Sequence, residues 1–326
     1  MPGFKVFKSI IPNPDENTRV STFEHPVQSF TWDDFTAKPG YKYEYSFYPL
    51  RGKPRNLDRS AAPIRIAVET EPLYSNLTHD VFFNRGVASS QAYRHKFDNK
   101  SPDDLPHDKA KEALKWLSRE LDDALLKFIK QAQKNDTLLC CFYEFRYLPV
   151  ATEIQLAIKR GVDVKLIVDG KANEHTDKSG KFHESFPRVD NLKTIRDAQI
   201  DMAHVIVREA RTNSIQHNKF MVLLKGTQKQ PTEVWTGSTN LSIGGIHGQT
   251  NVGHWVRDEE TAKHYQAYWE IIRQDPGSRD SDSSAEGRTK NKDLRTAVEG
   301  LCTVPLTTED IPAGITTSFS PRIGLK

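Results

Sequence analysis

Gln216-His217-Asn218-Lys219-Phe220-Met221-Val222-Leu223-Leu224, followed by Trp235-Thr236-Gly237-Ser238-Thr239-Asn240, is the segment from which the rest of the chain is best understood. His217 and Lys219 stand two apart at the head of an apolar run. On a strand, such residues point to the same side. An imidazole there can attack phosphorus or pass a proton near neutral pH. An ammonium beside it can neutralise a non-bridging phosphate oxygen. The Gly-Ser-x-Asn turn offers backbone N–H, hydroxyl and amide donors to the same oxygens. These groups suit chemistry at a phosphodiester with no metal and no other cofactor.

The neighbouring periodicities place this run in an α/β lobe. Leu114, Leu117, Leu121, Leu125, Phe128 and Ile129 step by three and four, which predicts one long helix over 108–134. The apolar run 137–145 reads as a strand. A helix through Ile154 and Ile158 ends at Gly161, a good C-terminal cap, and a strand follows over 162–168. Strand, helix, strand in that order implies a parallel pair joined by a right-handed crossover. A helix over 190–198 and strands over 203–207, 218–224, 233–236 and 251–256 come next. Residues 225–231 read as a hairpin connection, and a helix over 259–273 closes the lobe.

His217, Lys219, Gly237, Ser238 and Asn240, with the flanking Leu241-Ser242-Ile243-Gly244-Gly245 run, resemble the phospholipase D superfamily. The signature aspartate of that superfamily falls at Leu224 here, and the region where some relatives carry a histidine-orienting acid reads Gln249-Thr250-Asn251. The resemblance implies a lobe of mixed sheet flanked by helices and a phosphodiester substrate, either phospholipid or nucleic acid. It implies His217, Lys219 and Asn240 as catalytic residues, and Gly237 and Ser238 as phosphate-binding ones. The family chemistry uses two histidines across a pseudo-two-fold axis. One forms a phosphohistidine and the other protonates the leaving oxygen. One motif is present here, so the partner is a second motif-bearing lobe, downstream in the chain or from a homodimer. The competing reading is a non-catalytic or half-site lobe that binds phosphate and reacts only with that second motif.

The remaining segments are read from pattern alone. Residues 1–72 form a small β-rich domain. Tyr41, Tyr43, Tyr45 and Phe47 alternate, as do Ile64, Ile66 and Val68, and the pattern loosely resembles a fibronectin type III or immunoglobulin-like sandwich. The catalytic lobe covers 73–274. Residues 275–289 have almost no apolar content and read as a flexible linker. Residues 290–326, with a strand-like Ile315–Phe319, read as the opening of a truncated second lobe. Arg85 is a candidate phosphate contact, although a surface ion pair is the commoner fate of a lone arginine. Glu144, at a strand end, could line the cleft, although an exposed strand-end acid is the commoner case; Asp169 reads as a turn residue, and His254 as a candidate neighbour of the site.

A net charge of +3 over 326 residues neither requires nor excludes a polyanionic partner. The start lacks an apolar signal core, and no stretch approaches the roughly 18 apolar residues of a membrane span, which suits the cytoplasm. Adjacent Cys140 and Cys141 and distant Cys302 suggest buried reduced thiols and no cysteine-based metal site.

Overall fold

The computed structural model describes residues 2–3, 5–15, 17–29, 34, 37–86, 90–210, 216–279, 282–302 and 313–322. The chain divides into two compact units, Met1–Ser75 and Asn76–Lys326.

In the first unit, Lys42–Phe47 pairs antiparallel with Ile64–Glu69, setting Tyr43, Tyr45 and Phe47 opposite Val68, Ile66 and Ile64. The rings of Tyr41, Tyr43, Tyr45 and Phe47 follow one another at 6.3, 6.0 and 6.4 Å, as strict alternation on one face requires. Arg51–Lys53 pairs with Asn56–Asp58, and Pro2–Gly3 with Val20–Ser21. These pairs share no strand. The alternation is therefore present, but the described residues form isolated two-stranded ladders and not a sandwich.

The second unit is built on a seven-stranded mixed sheet. Its elements are β1 (His79–Phe83), α1 (Gln91–Phe97), α2 (His107–Ser118), α3 (Leu121–Lys130), β2 (Thr137–Phe142), α4 (Leu148–Lys159), β3 (Asp163–Asp169) and α5 (Arg188–Asp197). They continue with β4 (Val205–Arg208), β5 (Lys219–Lys225), β6 (Gln230–Gly237), β7 (Val252–Val256), α6 (Glu259–Ile272) and α7 (Ala285–Glu299). The sheet order is β4-β3-β2-β5-β6-β7-β1. β4, β3 and β2 run parallel, and every other neighbouring pair is antiparallel. Each residue of β2 is buried, which fits a central strand covered on both faces. On one side Phe128 of α3 packs on Trp235 and Trp255, at 6.1 and 5.3 Å between rings. On the other, Tyr268, Trp269 and Ile272 of α6 join Phe220, Val222 and Leu224 of β5 in one core.

Three expectations are corrected. The helix expected over 108–134 is two helices, broken at Arg119, whose φ is +52°. The two halves serve different cores: Ala113 and Leu117 pack with Tyr93 and Phe97, whereas Leu121, Leu125 and Phe128 are buried in α3. Residues 285–289 of the linker expected over 275–289 lie instead in α7, whose Ser284 cap accepts from the Gly287 N–H at 2.9 Å. α7 buries Leu294 and Val298 in the α6 core. Residues 315–319 form no strand. Instead Phe319 is buried against Tyr265 and Tyr268, at 5.0 and 4.6 Å, and the Tyr268 hydroxyl donates to the Ser320 carbonyl at 2.8 Å.

Cys140 and Cys141 are buried and unpaired. Burial raises both thiols, Cys141 to about 12. Among the described residues no helix is long and apolar enough to cross a membrane, and no group of three or more His, Cys, Asp or Glu could hold a metal ion.

Candidate active site

Three chain segments meet at one end of the sheet: the exit of β2, the entry to β5 and the exit of β6. In the β2–β5 ladder Lys219 lies opposite Phe142, and the Tyr143 N–H donates to the Asn218 carbonyl at 2.8 Å. Continuing that register brings Glu144 level with His217. Beyond β6, Leu241 bridges to Phe145, and the Arg146 N–H donates to the Leu241 carbonyl at 2.8 Å. Buried Asn191 of α5 pins the first segment. Its amide donates to the carbonyls of Tyr143 and Asp169, at 2.8 and 3.0 Å, and its oxygen accepts from the Phe145 N–H at 2.7 Å.

His217 is exposed, and the Tyr143 ring meets it edge-on at 5.0 Å. Partial desolvation of its imidazole, then the neighbouring Lys219 charge, holds its pKa below the ordinary value, with Glu144 acting in the opposite sense. Lys219 is buried, 7% exposed, and its ammonium donates to the His217 carbonyl at 2.9 Å. Burial lowers its pKa to about 8, again opposed by Glu144. The Asn240 amide donates to Glu144 Oε1 at 3.1 Å, and its own Oδ1 is buried with no hydrogen-bond partner. His217 and Lys219 line a cleft of about 370 Å³, with Arg208, Tyr268 and the segment Ser318–Pro321 among its other walls.

Gly237 and Ser238 lie in the same turn, but the hydroxyl and N–H of Ser238 are taken up by Asn251 and Val252. Gly237 has φ +145°, and a Cβ there would stand 2.2 Å from the Val252 carbonyl oxygen. Its need is therefore close approach of β7. The Ser238 N–H donates to the Val252 carbonyl at 3.0 Å. Its hydroxyl donates to Asn251 Oδ1 at 2.8 Å and accepts from the Val252 N–H at 3.1 Å. The Asn251 amide in turn donates to the Gly245 carbonyl at 2.8 Å.

Glu144 departs from the commoner case. It is buried, and it accepts from Arg146 Nε at 2.8 Å as well as from Asn240. Its signal in the sequence was a lone charge ending an otherwise apolar strand. Arg85 stacks on Trp116 and donates to the Trp116 carbonyl at 2.9 Å, so its guanidinium is committed away from the cleft. His254 pairs with His79 at 3.0 Å between ring nitrogens. Asp169 accepts from the Lys171 N–H at 3.1 Å, as a turn residue does.

Residues 125–272 match the family model described as "Cardiolipin synthase, PLD-like domain". That span runs from within α3 to the last residue of α6 and contains every residue of the candidate site. By this match residues 125–272 carry a PLD-like domain. Among solved structures, it is similar to Nuc from Salmonella typhimurium, a phospholipase D family member, at 19% identity over 46% of this chain and 84% of that one, with a TM-score of 0.34. NucT from Helicobacter pylori is 16% identical over 48% and 90%, with a TM-score of 0.33. Phosphatidylserine synthase from Haemophilus influenzae is 13% identical over 57% and 43%, with a TM-score of 0.36. No match is found among curated proteins.

Proposed function

We propose that this chain is a phosphodiesterase acting through a phosphohistidine, on a phospholipid or nucleic-acid phosphodiester. The observation that carries the reading is an accessible imidazole, His217, beside the buried Lys219 ammonium at the mouth of a cleft. A lowered imidazole pKa favours the neutral form that attack on phosphorus requires. In the first step a nitrogen of His217 bonds to phosphorus, the bond from phosphorus to the leaving oxygen breaks, and that oxygen takes a proton from a second acid. In the second step water displaces the imidazole, giving its proton to the conjugate base of that acid. Lys219 neutralises a non-bridging oxygen in both steps. The Lys219 charge, itself buried, is held in place before the reaction begins and does this with little reorganisation. Asn240 lies at the same place and supplies an amide. Gly237 and Ser238 hold the turn that presents it.

The second acid is assigned to another copy of His217 in a homodimer or to a second motif-bearing lobe. Phospholipid and nucleic acid remain the two substrate classes, since fold and motif serve both.

The test is hydrolysis of bis(p-nitrophenyl) phosphate in chelator, with the wild type beside His217→Asn. The wild type should release nitrophenolate and leave an acid-labile phosphate on His217 when quenched. Equal rates in the two proteins would sink the reading. A specific activity that falls on dilution would place the second acid in a homodimer.

A further inference from the structure

The superfamily-type acid after the turn is absent, and Leu224 stands where a signature aspartate would fall. A carboxylate is nevertheless present in the site, supplied from a different strand. Glu144 leaves the end of β2, is 8% exposed, and makes contacts on both carboxylate oxygens. Oε1 takes the Asn240 amide at 3.1 Å, and Oε2 takes Arg146 Nε at 2.8 Å. Arg146 is itself held. Its Nη1 meets Asp190 Oδ2 at 3.3 Å, and its guanidinium lies over the Phe186 ring at 4.9 Å. The backbone on either side of Glu144 is fixed by Asn191.

We propose that Glu144 is the positioning residue of this site, with Arg146 as its clamp, so that one buried carboxylate orients the Asn240 amide and stands as the counter-charge to the Lys219 ammonium. The assignment rests on the phosphodiesterase reading for its catalytic meaning. The electrostatic part holds for the site whatever it binds. A buried ammonium tends to shed its proton, and a nearby carboxylate opposes that loss. Arg146 acts in the reverse direction, since it neutralises Glu144 and adds a second positive charge. The two substitutions should therefore move Lys219 oppositely. Glu144 touches Asn240 and the charge field of the cation, and it acts on the reacting atoms only through them.

The experiment is competitive labelling of Lys219 with acetic anhydride across pH 6 to 11, read by peptide mass spectrometry on the full chain. Glu144→Gln keeps the shape and leaves an oxygen for the Asn240 amide. It should lower the Lys219 midpoint by about one unit, the scale of a single close charge pair. Arg146→Met should raise it. Glu144→Asp should restore part of the loss. An unchanged midpoint in Glu144→Gln, or shifts of the same sign in Glu144→Gln and Arg146→Met, would overturn the proposal, because general loosening of the site moves both the same way. In turnover, Glu144→Gln should lose activity at pH 8 and regain it at pH 6.5, where Lys219 is protonated again. If the wild type proves inactive on phosphodiesters, the labelling result still stands by itself, and the phosphodiesterase reading fails separately.

Discussion

Replacing Lys219 with methionine should make the fold more stable while removing its function. The side chain is 7% exposed, and burial takes its ammonium from an ordinary 10.5 to about 8. A difference of about 2.5 units at 1.36 kcal/mol each gives about 3 kcal/mol as the ceiling on the cost of holding that charge. Residual hydration of the ammonium reduces this to about 1–2 kcal/mol. Methionine fills the volume of the lysine stem without the charge. For a unit of this size the gain corresponds to a rise in Tm of roughly 2–8 °C at pH 7. The cost exists because the folded pKa lies below the unfolded one. It is complete below about pH 8 and vanishes as pH rises through the unfolded value near 10.5. The stability gap between Lys219→Met and wild type should therefore be widest at pH 7 and close by about pH 10.5. Urea unfolding followed by tryptophan fluorescence suits the assay, because Trp116, Trp235, Trp255 and Trp269 all lie in the second unit. A variant less stable than wild type at pH 7, or a gap indifferent to pH, would refute the reasoning.

Two further outcomes are expected. The pH profile of kcat/KM should be a bell. Its acid limb should lie below pH 6.5, where His217 becomes neutral, and its alkaline limb near 8, where Lys219 loses its charge; an alkaline limb near 10 would mean that Lys219 is not the phosphate ligand. Gly237→Ala should cost about 2 kcal/mol or more in thermal unfolding, since a methyl group there needs a rare φ and meets the Val252 carbonyl.

Much of the second unit could be read from periodicity. The crossover from β2 to β3, the β5–β6 hairpin and the apolar face of α6 all follow from local patterns. The break at Arg119 did not, because Leu117 and Leu121 keep helical spacing through it while packing into different cores. α7 was hidden for a related reason: its anchors, Leu294 and Val298, lie beyond the polar stretch that suggested a linker. At the site, His217 and Lys219 were legible because a strand fixes their common side. Glu144 was not, since strand alternation carries no information about which strand ends meet. Ser238 offers the converse lesson. Its residue type promised donors for phosphate, and the structure commits its hydroxyl and N–H to Asn251 and Val252.

The meeting of three strand ends has a consequence for how the protein acquires its site. Glu144, His217 and Asn240 are brought together by the β2–β5 and β5–β6 pairings, and the first of these spans the whole stretch from α4 to β4. Closing so long a loop costs entropy before any contact repays it. No local fragment of the chain can therefore assemble the constellation ahead of the sheet. The constellation arrives with the cooperative transition itself, and a newly made chain lacks it until its central strands have paired.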